Sequence, residues 1–303
     1  MCDKIKKYLK NCRLCPRQCG INRYENTGYC GTGTEILGAK ACLHQWEEPC
    51  ISYRNGAGTV FFSGCSLHCC FCQNSVISNE IKGKSITVRQ LGDVFLRLQE
   101  QGADSIELVT PTHFLPQIIS ALDMVKHRLG IPVIWNSGGY ELPETIGLLD
   151  GYIDVYLPDI KYFSSDISAK YSNAPDYFEY ASAAVLRMIK QAGKLVYNSQ
   201  GGLVRGTVIR HLVLPSHRHD SMKILDWIAE NITPETALLS LMSQYTPFDG
   251  IPENCPELRR RITKMEYNSV VRYAQDLGLD GFIQEKSSAS AEYVPEFDFS
   301  GLP

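Results

Sequence analysis

The chain has 303 residues, 44% of them hydrophobic, with a formal net charge of -3. That is enough for one large domain or two ordinary ones with a sizeable core. The balance supplies no strong basic field, so nucleic acid is not an expected partner. The lysines of MCDKIKKYLKNC are not followed by an apolar stretch, and no run of about 18 apolar residues occurs, which argues against a signal peptide and a membrane span. A cytoplasmic protein is expected. All twelve cysteines except Cys255 lie at or before Cys72. Thiols so clustered in a reducing compartment bind metal more often than they form disulfides.

Three regions follow in chain order. Residues 1–58 are rich in Cys and Gly and poor in periodic apolar pattern, as expected of an extension stapled by a metal. Residues 59–286 alternate short apolar runs with helical stretches, the texture of a parallel α/β domain. Residues 287–303 read as an extended tail. Strands are expected at 59–63, 105–109, 132–136, 153–157, 208–214 and 237–241, with a short last one at 281–284. Each is nearly continuous in apolar residues, as strands covered on both faces are. Helices are expected at 88–101, 114–128, 143–149, 177–191, 222–231 and 269–277 from apolar residues at helical spacing. A Rossmann-type sheet and a partial barrel fit this count equally well.

The first strand runs straight into Gly64-Cys65-Ser66-Leu67-His68-Cys69-Cys70-Phe71-Cys72. Cys65, Cys69 and Cys72 are spaced C-x3-C-x2-C. Three thiolates on one loop can hold three irons of a 4Fe-4S cubane and leave the fourth open, whereas electron-transfer clusters use four cysteines. The alternatives are an electron-transfer cluster or a zinc site completed by Cys70 or His68, although zinc prefers C-x2-C knuckles. Farther upstream, Cys12, Cys15, Cys19 and Cys30 form C-x2-C-P-x2-C followed by G-Y-C-G. Four cysteines can close a structural zinc site or hold an auxiliary iron–sulfur cluster, and the spacing leaves that identity open. Walker-type and Ser-His-Asp signals are lacking. Gly31-Thr32-Gly33 has neither the strand before it nor the helix after it that nucleotide binding needs.

The C-x3-C-x-(aromatic)-C loop resembles the radical S-adenosylmethionine (SAM) superfamily. The wider chain resembles its uncharacterised branch related to pyruvate formate-lyase activating enzyme, through CRLCPRQCGINR, HQWEEPCIS, GTVFFSGCSLHCCFCQN, ELVTPTHF, DVYLPDIKY, IRHLVLPSH and LMSQYTPF. The resemblance implies a partial (β/α)6 TIM-like barrel, with its site at the C-terminal ends of the strands. It implies a 4Fe-4S cluster and SAM as cofactors, and reductive cleavage of SAM to a 5′-deoxyadenosyl radical that abstracts hydrogen from a substrate. An external donor such as flavodoxin or ferredoxin and a protein substrate, on which a glycyl radical is installed, are the implied partners. Radical modification of another peptide or metabolite, and a non-enzymatic iron–sulfur module, are the rival readings.

The family's Gly-Gly-Glu segment is replaced here by Val109-Thr110-Pro111-Thr112-His113, where Thr110 and Thr112 supply hydroxyl or carbonyl acceptors for SAM. Asn136, in Trp135-Asn136-Ser137-Gly138-Gly139-Tyr140, matches the family's Asn-Gly type of segment. Asp159 and Lys161 at a strand end suit ribose hydroxyls, or a plain ion pair. Arg210 suits a carboxylate, and His211, its neighbour in the strand, must face the other way. His217 and His219 are placed in a loop. His44, Glu47 and Glu48 either reach the site or tie the N-terminal segment down. No catalytic side chain is singled out.

Overall fold

The computed structural model describes residues 3–284 and 295–303. Helix α1 (Asp3–Lys10) is followed by strands β1 (Ile36–His44) and β2 (Ala57–Phe62), a single turn α2 (Ser75–Ser78) and β3 (Lys84–Ile86). The alternation then becomes regular: α3 (Val88–Glu100), β4 (Ile106–Val109), α4 (Leu115–Val125), β5 (Val133–Ser137), α5 (Pro143–Gly147) and β6 (Val155–Pro158). Helices α6 (Ser165–Ser172) and α7 (Tyr177–Ala192) precede β7 (Val196–Tyr197) and β8 (Leu203–Leu212). Helix α8 (Arg218–Asn231), β9 (Ala237–Met242), α9 (Lys264–Asp276) and β10 (Gly281–Ile283) complete the order.

The sheet runs β10-β9-β8-β6-β5-β4-β2-β1-β3, with β7 paired to β8. Every pairing from β2 through β10 on that path is parallel, and β1 joins β2 and β3 antiparallel. This is the open, partial barrel of an α/β protein with a Cys-rich segment before it. Strands β2, β4, β5, β6 and β9 are buried at every position. That explains their lack of polar alternation, because both faces are covered. On the outer face, Leu91, Phe95 and Leu98 of α3 and Ile118 and Leu122 of α4 share one core with Ile106, Leu108 and Trp135. Helices α8 and α9 cover Ile209, Leu239 and Leu241 with Ile224, Leu225 and Val270. The other face gathers Ala57, Ile134, Val155, Leu157, Val208 and Leu238 around Cys50 and Ile51, which close the barrel's interior from the N-terminal segment.

The expected strands all exist within a few residues. Strand β8 starts earlier than expected, at Leu203. Strand β1 was not expected, because ILGAKACLH mixes small and polar residues and mimics the loop texture around it. The α6 stretch SDISAKYS is too polar to reveal a helix, and β7 is only two residues long. His217 and His219 are not in a free loop: His217 is the cap residue of α8 and His219 lies in its first turn. Residues 287–294 of the expected tail lie outside the described residues. The part that follows runs along β1, where Phe299 N donates to Ala39 O at 3.1 Å and Ala41 N donates to Ser300 O at 3.0 Å.

Helix α3 begins in a capping box: Thr87 Oγ1 accepts from Gln90 N at 3.2 Å, and Gln90 Oε1 accepts from Thr87 N at 2.8 Å. Thr87→Ala removes one half of it and is expected to cost about 1 kcal/mol. Urea unfolding should show a lower midpoint at unchanged slope.

Candidate active site at the strand ends

The parallel register aligns Phe61, Val109, Asn136 and Leu157 across β2, β4, β5 and β6, and a further bridge aligns Asp159 with Arg210. Just past this row, at the C-terminal ends of the strands, lies a cavity of about 650 Å³. That is the size of an ordinary cofactor or substrate site. Cys65, Cys69 and Cys72 line it on one side, and Thr110, Asn136, Asp159, Lys161 and Arg210 line it elsewhere.

The cysteine loop leaves β2 through Gly64 at φ +92, where an added Cβ would lie 2.6 Å from Cys30 O. Only glycine fits both that backbone conformation and that approach. Leu67 N donates to Cys65 Sγ at 3.4 Å, Ser172 Oγ to Cys69 Sγ at 3.0 Å and Ser78 Oγ to Cys72 Sγ at 3.4 Å. Burial first, then the neighbouring Cys69 thiol, pushes the Cys65 thiol up to about 12 and raises that of Cys72. Both shifts disfavour the free thiolate at Cys65 and Cys72 and leave it to a bound cation to favour that form. The two alternative ligands are both engaged elsewhere. His68 uses Nδ1 toward Asn79 Oδ1 (3.0 Å) and Nε2 toward Tyr29 O (2.9 Å). Cys70 neighbours Cys255, which after burial is the main reason its thiol is pushed up to about 12. Phe71 packs edge-on against Tyr162, Tyr171 and Tyr245. Three thiols with their fourth side open to a cavity fit a cubane cluster with one accessible iron, and do not fit a closed four-ligand site.

Elsewhere on the wall, polar side chains form a connected chain. Thr59 Oγ1 and Asn136 Nδ2 each donate to Glu107, at 2.7 Å. Arg210 Nη2 donates to Asn136 Oδ1 at 2.5 Å, its Nε to Asp159 Oδ1 at 2.9 Å, and its Nη1 to Glu47 Oε2 at 3.3 Å. Lys161 Nζ completes it on Asp159 Oδ2 at 2.5 Å. Burial raises Asp159, but Arg210 and Lys161 outweigh it and hold the carboxyl below the usual range. Glu107 is raised by burial despite its hydrogen bonds, and Glu47 is raised by burial and then by Glu107.

The expected site residues do not all meet. Thr110 reaches the cavity on strained backbone, φ +56 for a β-branched residue, as is common at functional sites. Thr112 turns away: its Oγ1 donates to Glu141 Oε1 at 2.6 Å, beside Trp135 Nε1 at 3.0 Å. Arg210 points into the cavity, whereas His211 bonds Ile160 O and Ser221 Oγ on the other face. Gly139, at φ +78, is forced by Asp159 O, which an added Cβ would meet at 2.1 Å. Sequence reasoning passed over the wall formed by Gln45, Trp46 and Pro49, and over Gln244 and Tyr245 after β9. The stretches HQWEEPCIS and LMSQYTPF carried that signal.

Residues 59–228 match the family model of the Radical SAM superfamily. The chain belongs to that superfamily. It is a radical SAM enzyme, and the superfamily implies SAM and a 4Fe-4S cluster. An uncharacterized protein of Methanocaldococcus jannaschii, MJ0674, is 29% identical over 285 residues, covering 91% of this chain and 77% of that protein. A radical SAM methyltransferase from Sphaerobacter thermophilus shares the fold at 12% identity and TM-score 0.50, over 75% of this chain and 66% of that one. A domain of pyruvate-formate lyase-activating enzyme from Bacteroides vulgatus superposes more loosely, at TM-score 0.42 and 13% identity, over 60% of this chain and 100% of that domain. Among the described residues no helix is long and apolar enough to cross a membrane.

Arg210 is 15% exposed and serves two carboxylates. Arg210→Met leaves buried charge uncompensated and is expected to cost about 3–5 kcal/mol in urea unfolding. Adding Asp159→Asn should recover part of that loss, because the two residues are coupled.

Proposed function

We propose that this enzyme reductively cleaves SAM at a 4Fe-4S cluster ligated by Cys65, Cys69 and Cys72, and that the cavity beside them holds the hydrogen donor. The observation that carries this is the position of the three thiols, with one side left open to a cavity of about 650 Å³. A cluster bound there supplies one-electron cleavage of SAM to methionine and a 5′-deoxyadenosyl radical. The protein's part is binding and orientation. Thr110, Asn136 and Gly138 offer polar groups and backbone at the cavity wall. Asp159 and Lys161 offer a fixed acceptor and donor, with Arg210 locking the carboxylate in place. Thr112 is left out of this set because Glu141 holds its hydroxyl. The finer reading is installation of a glycyl radical on a partner enzyme, with flavodoxin or ferredoxin as electron donor in the cytoplasm. What supports it is the resemblance carried by the seven sequence stretches.

The test is anaerobic reconstitution with iron and sulfide, followed by SAM and dithionite and chromatography for 5′-deoxyadenosine. The wild-type chain should form it, and the Cys65→Ala/Cys69→Ala/Cys72→Ala variant should form none. A fully loaded wild-type cluster that neither binds SAM nor yields the product would sink the reading in favour of an electron-transfer module. For the finer reading, the partner enzyme incubated with the loaded protein should develop a glycyl-radical signal in electron paramagnetic resonance.

A further inference from the structure

The first group of cysteines is used by nothing described so far. Cys12, Cys15, Cys19 and Cys30 come together behind the cysteine loop and line one small enclosed space of about 20 Å³, with Ser66 and His113 on its wall. Two of the sulfurs face donors. Tyr29 N donates to Cys19 Sγ at 3.4 Å, and Thr32 Oγ1 lies 3.2 Å from Cys30 Sγ. Gly28 leaves room for both: an added Cβ would lie 3.5 Å from Cys30 Sγ and 3.7 Å from Cys19 Sγ.

We propose that these four cysteines hold a second iron–sulfur cluster, fully ligated by cysteine and unable to bind SAM. The competing occupant is a single zinc ion closed by the four thiolates. Four thiols on the wall of one small space can hold a polynuclear core, whose own iron and sulfide fill the middle. The spacing C-x2-C-x3-C is close to the compact C-x2-C-x2-C run of cubane sites.

The second site abuts the first. Arg17, two residues beyond Cys15, donates from Nε to Ser66 O at 2.9 Å and from Nη2 to Ser172 O at 3.0 Å. Ser172 in turn donates to Cys69 Sγ. Ordering the four-cysteine segment therefore orders the loop that carries the other three thiols.

The inference is independent of SAM cleavage, so each can fail alone. The full-length Cys65→Ala/Cys69→Ala/Cys72→Ala variant is reconstituted anaerobically with iron and sulfide, and both are counted. Spectra of the reduced protein are taken with and without SAM. About four irons and four sulfides per chain should remain, with a signal that SAM does not alter, against about eight of each in the wild type. A folded variant with no iron and sulfide, or with one zinc in their place, overturns the proposal. If that variant does not fold, the wild type decides: about four irons in all, every one responding to SAM, also overturns it. Cys15→Ser/Cys30→Ser should lose the signal that is indifferent to SAM.

Discussion

An open barrel has a mechanical problem at its mouth, where strands end and backbone pairing stops. Here one guanidinium solves it. Arg210, on β8, reaches Asp159 after β6, Asn136 on β5 and Glu47 from the N-terminal segment, and through Asn136 it engages Glu107 on β4. Four successive strands and the preceding segment are thus held by one set of charge-assisted hydrogen bonds, the strong kind at low local dielectric. The fixed fork of arginine can do this and a lysine cannot. The cavity keeps its shape because this network, rather than further strand pairing, sets the distance between the strand ends.

The segment before the barrel is structural as well as metal-binding in character. Strand β1 lies along β2 and is itself covered by the chain's last residues, with Gly301 so close that an added Cβ would meet Ala41 O at 1.8 Å. Ile51 and Cys50 close the interior, while Glu47 and Glu48 reach the cavity from the same stretch. The extension therefore contributes to the sheet edge, the interior and the site wall at once. Loss of order there would be felt at the barrel mouth.

Much of this was legible in the sequence, for identifiable reasons. A strand buried on both faces is a continuous apolar run, so β2, β4, β5, β6 and β9 announced themselves. A thiol loop after such a run carries its chemistry in its spacing. What stayed hidden depends on long-range partners. Glu107 and Glu141 read as ordinary carboxylates until the fold buries them among donors from other strands. Thr112 could be placed near the mouth, but its direction follows from the 3-10 turn at Thr112–Phe114 and from the pull of Glu141. Strand β1 could not be seen because its partner β2 supplies most of its reason to be extended.

Charge balance links these parts. Within the cavity wall, Asp159 is matched by Arg210 and Lys161, and Glu47 shares Arg210. Glu48 is different. It is buried, and among the described residues its Oε2 has no hydrogen-bond partner. A buried acceptor left unmatched costs free energy that the native state ordinarily avoids. Its carboxylate nonetheless acts on Arg210, whose pKa is raised, against the effect of burial, by Asp159, Glu48 and Glu47 together, so one guanidinium is shared among three carboxylates on this wall.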